Sequence, residues 1–152
     1  MNDILIIRKP KTNVELEKEY QLRWRILFEP WNQPKGSEKD SFEKEAEHFI
    51  AILNDRIVGT ARFHLLKEKI GQIKYLVVDE KLRLKKIGSN LLEAIHYTAR
   101  NKGLRYILLN ARESSRLFFE KKGYEVIEEG PLLFNAIKLF KMKLNIKKIK
   151  RF

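Results

Sequence analysis

Between Tyr75 and Ile95 the chain reads YLVVDEKLRLKKIGSNLLEAI. Tyr75 to Val78 is an apolar run suited to a strand, Lys81 to Lys86 is a short basic loop, and from Gly88 onward the apolar positions return with helical period. This order predicts a sheet onto which helices pack. It also predicts a chemistry. The first amides of a helix have no partners within it, and the positive end of its dipole points the same way, so a basic loop entering a helix is suited to holding a phosphate.

The rest of the chain is punctuated as alternating strands and helices with no internal linker. Ile4 to Ile7 predicts a first strand, and Thr12 with Glu15 a capping box opening a helix. Leu16, Tyr20, Trp24, Leu27 and Phe28 share one helical face, and Pro30 ends the helix. Trp31 to Lys44, with Pro34, Gly36 and many charges, predicts a surface loop or short helix. Three strands follow, His48 to Leu53, Ile57 to Leu65 and Ile70 to Val78, with turns at Asn54-Asp55 and near Lys67 to Lys69. A helix over Ile87 to Asn101 stops at Gly103. Tyr106 to Asn110 is a strand, Ser114 to Lys122 a helix ended by Gly123, and Tyr124 to Ile127 and Leu139 to Leu144 closing strands. The fold class expected is α/β (α+β): a mixed, mostly antiparallel sheet of six or seven strands with helices on both faces.

Composition bounds the function. A chain of 152 residues with 43% hydrophobic residues predicts one domain, residues 1–152, ending in a basic tail over 145–152. No apolar run is long enough to span a bilayer and there is no charged-then-apolar leader, so the expectation is a cytoplasmic protein without membrane partners. Zero Cys excludes disulfides and thiolate catalysis. Three His without metal-ligand spacing give no reason to expect a metal. The net charge of +12, with Lys147, Lys148, Lys150 and Arg151 crowding the C-terminus, suits an anionic partner or simply a solvated surface. No basic motif interleaved with aromatics supports nucleic-acid binding.

Neither the dinucleotide fingerprint nor the P-loop is present. After the basic loop comes a second segment, SSRLFFEKKGYEVI. The two segments at this spacing resemble the Gcn5-related N-acetyltransferase (GNAT) superfamily, over about His48 to Leu144. The resemblance implies acetyl-CoA as co-substrate. It makes Val77 and Val78 backbone contacts for the pantetheine arm, and Arg83, Leu84, Lys85, Lys86, Ile87, Gly88 and Ser89 the pyrophosphate loop. In the family pattern [QR]-x-x-G-x-[GA], Arg83 and Gly88 match, whereas Lys86 stands where the first Gly is usual. A Lys suits the phosphate by charge, but not a positive φ if one is required. Asn110 resembles a position that touches the coenzyme arm, and reads equally as a strand-end cap.

The same comparison implies amine attack on a thioester, and here the chain departs from the pattern. Phe119 stands where many members carry a Tyr acid, Phe118 beside it has no proton either, and Gln72 stands where some carry a carboxylate base. The titratable candidates that remain are His64 and Tyr75. His64 has a pKa suited to a base and reads also as a hydrogen-bonded strand histidine. Tyr75 reads also as a packed aromatic. Trp31 and Arg25 are the candidates for the acceptor cleft. The leading reading is an N-acyltransferase, an N-acetyltransferase above all, acting on a small-molecule or peptide amine. The alternative is a coenzyme-binding module that has lost its acid and base. Pairing of C-terminal strands would allow a homodimer.

Overall fold

The structure, a computed structural model, describes residues 4–149, apart from the side chains of 83–85. Its strands are β1 (Leu5–Arg8), β2 (Glu47–Leu53), β3 (Arg56–Lys67), β4 (Ile70–Val78), β5 (Tyr106–Arg112), β6 (Glu125–Leu133) and β7 (Ile137–Asn145). The helices are α1 (Asn13–Leu27), α2 (Ile87–Asn101) and α3 (Glu113–Lys121), with short 3-10 turns at Glu29–Trp31, Glu80–Lys85 and Ile146–Lys148. The strands form a seven-stranded sheet in the order β1-β2-β3-β4-β5-β7-β6. The expected element order and mixed sheet are therefore observed.

The chain divides into two compact units. The first comprises the chain up to His64 together with Tyr75–Ile95. There, β1 pairs antiparallel with β2, and β2 with β3 through a turn in which Asn54 and Asp55 take φ of 49° and 67°. Thr12 caps α1 by accepting the Glu15 N–H at 3.1 Å, while the Glu15 carboxylate takes the Lys11 N–H at 2.7 Å. The face that α1 buries differs from the one its apolar residues predict: Glu19 and Arg23 are buried beside Tyr20 and Leu22. They can be, because each charge meets its opposite inside the fold. Helices cover both faces of this unit. Gly59 of β3 looks toward Ile87 and Leu91 of α2, and Tyr75 of β4 packs edge-on against Phe28, just past the end of α1.

The second unit comprises Leu65–Lys74 and the chain from His96 onward. Here β4 runs parallel to β5, but the ladder holds three pairs only and ends at Gln72↔Leu108. β5 pairs antiparallel with β7 along its whole length, from Tyr106↔Asn145 to Arg112↔Leu139. β6, expected to end near Ile127, continues to Leu133 and pairs with β7 across two irregularities. Pro131 and three glutamates lower its strand signal in sequence, yet Pro is tolerated because β6 is an edge strand. Ile146, within the segment expected to be a tail, is buried, whereas Lys150 and Arg151 lie outside the described residues.

Candidate functional site

In the first unit β4 hands the chain to α2 through a braced turn. The Asp79 N–H donates to the Val58 carbonyl at 2.8 Å, and the Asp79 carboxylate accepts the Lys81 N–H at 3.1 Å. Arg25 reaches the same place from α1, 3.5 Å from Asp79 and 3.3 Å from Glu80. This candidate for the acceptor cleft therefore braces the start of the basic loop. The loop is a 3-10 turn ending at Lys86, whose φ of 58° is left-handed. Lys thus takes a positive φ at the position where the family pattern has its first Gly. The Lys86 carbonyl takes the first intrahelical bond from the Asn90 N–H at 3.1 Å, and the Asn90 side-chain amide at 3.0 Å.

The N–H groups of Ile87, Gly88 and Ser89 precede that first bond, and the first turn carries no acidic residue to compete with an anion. Ile87 is fully buried and fixes where those amides point. Its seat is Gly59, which the sequence reading passed over. A Cβ at Gly59 would lie 2.9 Å from Ile87 Cγ2, 3.1 Å from Leu91 Cδ1 and 3.2 Å from the Val77 carbonyl oxygen. Of the expected pyrophosphate loop, Lys86 to Ser89 thus sit at the start of α2, and the side chains of Arg83, Leu84 and Lys85 fall outside the described set. Replacing Lys86 by Gly should relieve roughly 1 kcal/mol of left-handed strain and raise the melting temperature. It should also weaken acetyl-CoA binding a few-fold through loss of the ammonium. Thermal melts and calorimetric titration of the same variant measure both.

The candidate catalytic side chains lie on the face of β3 and β4 turned toward α1. His64 is buried and stacks on Phe42 at 4.2 Å. The Tyr75 ring lies 4.8 Å from the Arg23 guanidinium and 5.4 Å from that of Arg62. Burial, with the nearby Asp40 carboxylate, pushes the Tyr75 phenol upward, so it keeps its proton at neutral pH. Around it is a cluster that sequence reasoning missed. Arg62 bonds Asp40 in a fork of 2.7 and 2.9 Å and also bonds Glu43, while Arg23 bonds Glu19 at 3.0 Å, Glu43 at 2.9 Å and the Glu38 carbonyl at 3.0 Å. The Glu19–Arg23 spacing of four was the one sequence signal for it. Trp31 sits at the surface in the 3-10 turn after α1.

The second unit carries the remaining candidates. Asn110 is exposed on β5, and its Oδ1 would lie 3.2 Å from a Cβ built on Gly130. A cavity of about 330 Å³ opens here, lined by Gln72, Leu108, Asn110, Glu128, Pro131 and Lys141 among others. The strand registers put these side chains in two adjacent rows, Gln72 opposite Leu108 in one and Asn110, Lys141 and Glu128 in the other.

Phe119 is buried, edge-on to Phe118 at 5.1 Å and to Tyr124 at 5.5 Å. The Tyr124 hydroxyl lies 2.8 Å from His96 Nε2. Burial holds that imidazole down at about 4 and pushes the phenol up, so both stay neutral at pH 7. A histidine with a depressed folded pKa stabilises the fold above its ordinary 6.5, and that stability is lost as pH falls toward about 4. The loss should reach roughly 3 kcal/mol across this window, read from urea melts at stepped pH. Replacing the pair together, His96→Phe with Tyr124→Phe, should flatten this dependence.

Comparison with known proteins agrees with this geometry. The model of the acetyltransferase (GNAT) family matches residues 16–124. The uncharacterized N-acetyltransferase YjcF of Bacillus subtilis (strain 168) is 26% identical over 123 residues, covering 81% of this chain and 87% of its own. An aminoglycoside 6'-N-acetyltransferase solved with coenzyme A superposes with a TM-score of 0.79 at 18% identity, covering 97% of this chain and 99% of its own. A GNAT family acetyltransferase from Elizabethkingia anophelis, solved with acetyl-CoA bound, gives a TM-score of 0.76 at 16% identity, covering 93% and 97%. Among the described residues no helix is long and apolar enough to cross a membrane, and no group of three or more His, Asp or Glu is arranged to hold a metal. With a family model matched over most of its length and a curated N-acetyltransferase relative covered over 87% of its own length, the chain belongs to the acetyltransferase (GNAT) family and is a transferase that uses acetyl-CoA.

Proposed function

We propose that this protein moves an acetyl group from acetyl-CoA to an amine of a small-molecule or peptide acceptor by direct attack on the thioester. The observation that carries the proposal is the start of α2, where three unpaired amides follow the left-handed Lys86, in a chain that the family model matches over residues 16–124. On β4 the Val77 carbonyl turns toward Gly59 of β3, so Val78 is the residue whose N–H and C=O would meet a pantetheine arm. The pyrophosphate would then take the amides of Ile87, Gly88 and Ser89, with Lys86 adding charge.

In the reaction the amine nitrogen bonds to the carbonyl carbon, the C–S bond breaks, and the electron pair leaves with sulfur as thiolate. One proton passes from the acceptor nitrogen to solvent and one from solvent to sulfur. Neither Phe119 nor Gln72 can carry them. The rate therefore rests on orientation and on backbone donors facing the developing oxyanion. The burial of Phe119, with no hydroxyl on its ring, favours a second reading, a coenzyme-binding module without turnover.

Release of free thiol from acetyl-CoA, followed across a panel of amines, separates the two. Acceptor-dependent thiol release supports the transferase. Tight acetyl-CoA binding with no release from any amine supports the binding module.

A further inference from the structure

The segment from Asn32 to Ala46, between the 3-10 turn after α1 and β2, contains neither helix nor strand. It is fastened mainly by charge. Arg23 takes the Glu38 carbonyl and the Glu43 carboxylate, and Arg62 takes Asp40 and Glu43. His48 of β2 supplies a further fastening. Its Nδ1 lies 2.8 Å from Glu19 Oε2, and its Nε2 lies 2.7 Å from the main-chain carbonyl oxygen of Glu43. Both partners can only accept. The carbonyl bears no hydrogen, and Glu19 Oε2 already accepts a hydrogen bond from Arg23 Nη2 at 3.0 Å, as a carboxylate paired with arginine does. A neutral imidazole has one N–H and one lone pair, so it would set a lone pair against one of these oxygens. Only the imidazolium satisfies both.

Charge points the same way. Among the groups bonded to one another here, Glu19, Asp40 and Glu43 give three negative charges against the two positive ones of Arg23 and Arg62, while the buried Glu38 carboxylate takes the Gly36 N–H at 2.7 Å instead. A charged His48 completes the balance inside a region where Glu19, Arg23 and Arg62 are at most 1% exposed. From α1, Glu19 faces the ring and Tyr20 lies edge-on at 6.1 Å; from the segment comes Glu43; from β3, Arg62 is the cross-strand partner. On the groove side Lys9 is paired with Glu47 at 2.8 Å, and Lys11 lines the same groove.

We propose that His48 is a proton-operated latch: as an imidazolium it ties the 32–46 segment to Glu19 of α1, and on losing its proton it drops that tie and leaves the segment to Arg23 and Arg62. The bond to the ionised Glu19 is the stronger, so the contact released is the one to the Glu43 carbonyl. Burial of the ring opposes the charge, but the bonds to Glu19 and Glu43 outweigh it and lift the pKa above the ordinary 6.5. With a raised folded pKa, the latch is fully closed below the ordinary value and opens as pH rises through the raised one.

The test uses the full chain. Nitrogen-15 NMR of the ring should show both nitrogens protonated at neutral pH, with a midpoint above that of free histidine. Hydrogen-exchange protection of the amides in 36–46, corrected for the intrinsic rate, should fall about tenfold through the same midpoint, while β5 amides hold theirs. His48→Gln should show the lowered protection at every pH. If it does not fold, the two wild-type measurements still decide. A neutral tautomer at pH 6.5, or protection in 36–46 that ignores the ring titration, overturns the proposal.

Discussion

Arg62→Met should lower stability by about 3–5 kcal/mol, among the largest effects of any single change in this chain. The guanidinium is fully buried and holds Asp40 in a two-pronged contact together with Glu43. Methionine fills most of the volume but leaves both carboxylates short of their cation, and an uncompensated buried charge costs far more than a lost surface pair. For a domain of this size the melting temperature should drop by roughly 6–20 °C. Two companions identify the cause. Arg62→Lys should recover part of the loss, because an ammonium keeps the charge but cannot form the fork. The deficit of Arg62→Met should also narrow in acid, where an orphaned carboxyl can take up a proton. A loss independent of pH would point to packing instead.

Gly59→Ala should be the most damaging change for the coenzyme. Its methyl would press on Ile87 Cγ2 at 2.9 Å and on the Val77 carbonyl oxygen at 3.2 Å. The first is a methyl on a stiff β-branched side chain that begins α2, and the second is backbone of the strand proposed to receive the pantetheine. Neither yields without moving the helix start from the strand end. Overpacking of this kind costs about 1–3 kcal/mol. Acetyl-CoA binding should weaken about tenfold or more, that is by ~1.4 kcal/mol. The control is Ile50→Val on β2, a fully buried position whose loss should cost about 0.5–1.5 kcal/mol while coenzyme affinity holds. Equal weakening in both variants would mean that general loosening, not the helix start, sets the affinity.

Most of the fold is legible in the sequence because its punctuation is local. Asn54-Asp55, Gly103 and Gly123 mark turns and helix ends that the backbone adopts with positive φ, and the Thr12 cap forms as its spacing predicts. The turn from β4 into α2 is legible too, down to the strained position at Lys86. What escapes depends on partners far along the chain. Glu19, Arg23 and Arg62 are residue types that ordinarily face water, and nothing local tells that carboxylates at 40 and 43 will meet them inside. Gly59 escapes for a related reason. A glycine within a strand signals close approach, but only the packed structure identifies Ile87 as what approaches. The proton-bearing groups of the reaction are the least legible, because the two positions that the family resemblance points to are occupied by Phe119 and Gln72.

β6 closes one edge of the sheet, paired with β7 on one side only. A strand with an unpaired side is a template for any extended chain, and charge and proline blunt such edges. Glu125, Glu128, Glu129 and Pro131 put both on β6, so the residues that weaken its strand signal also keep copies of the chain apart. Glu128→Thr with Glu129→Thr should leave the fold in place and raise turbidity during storage at concentrations where the unchanged protein stays clear.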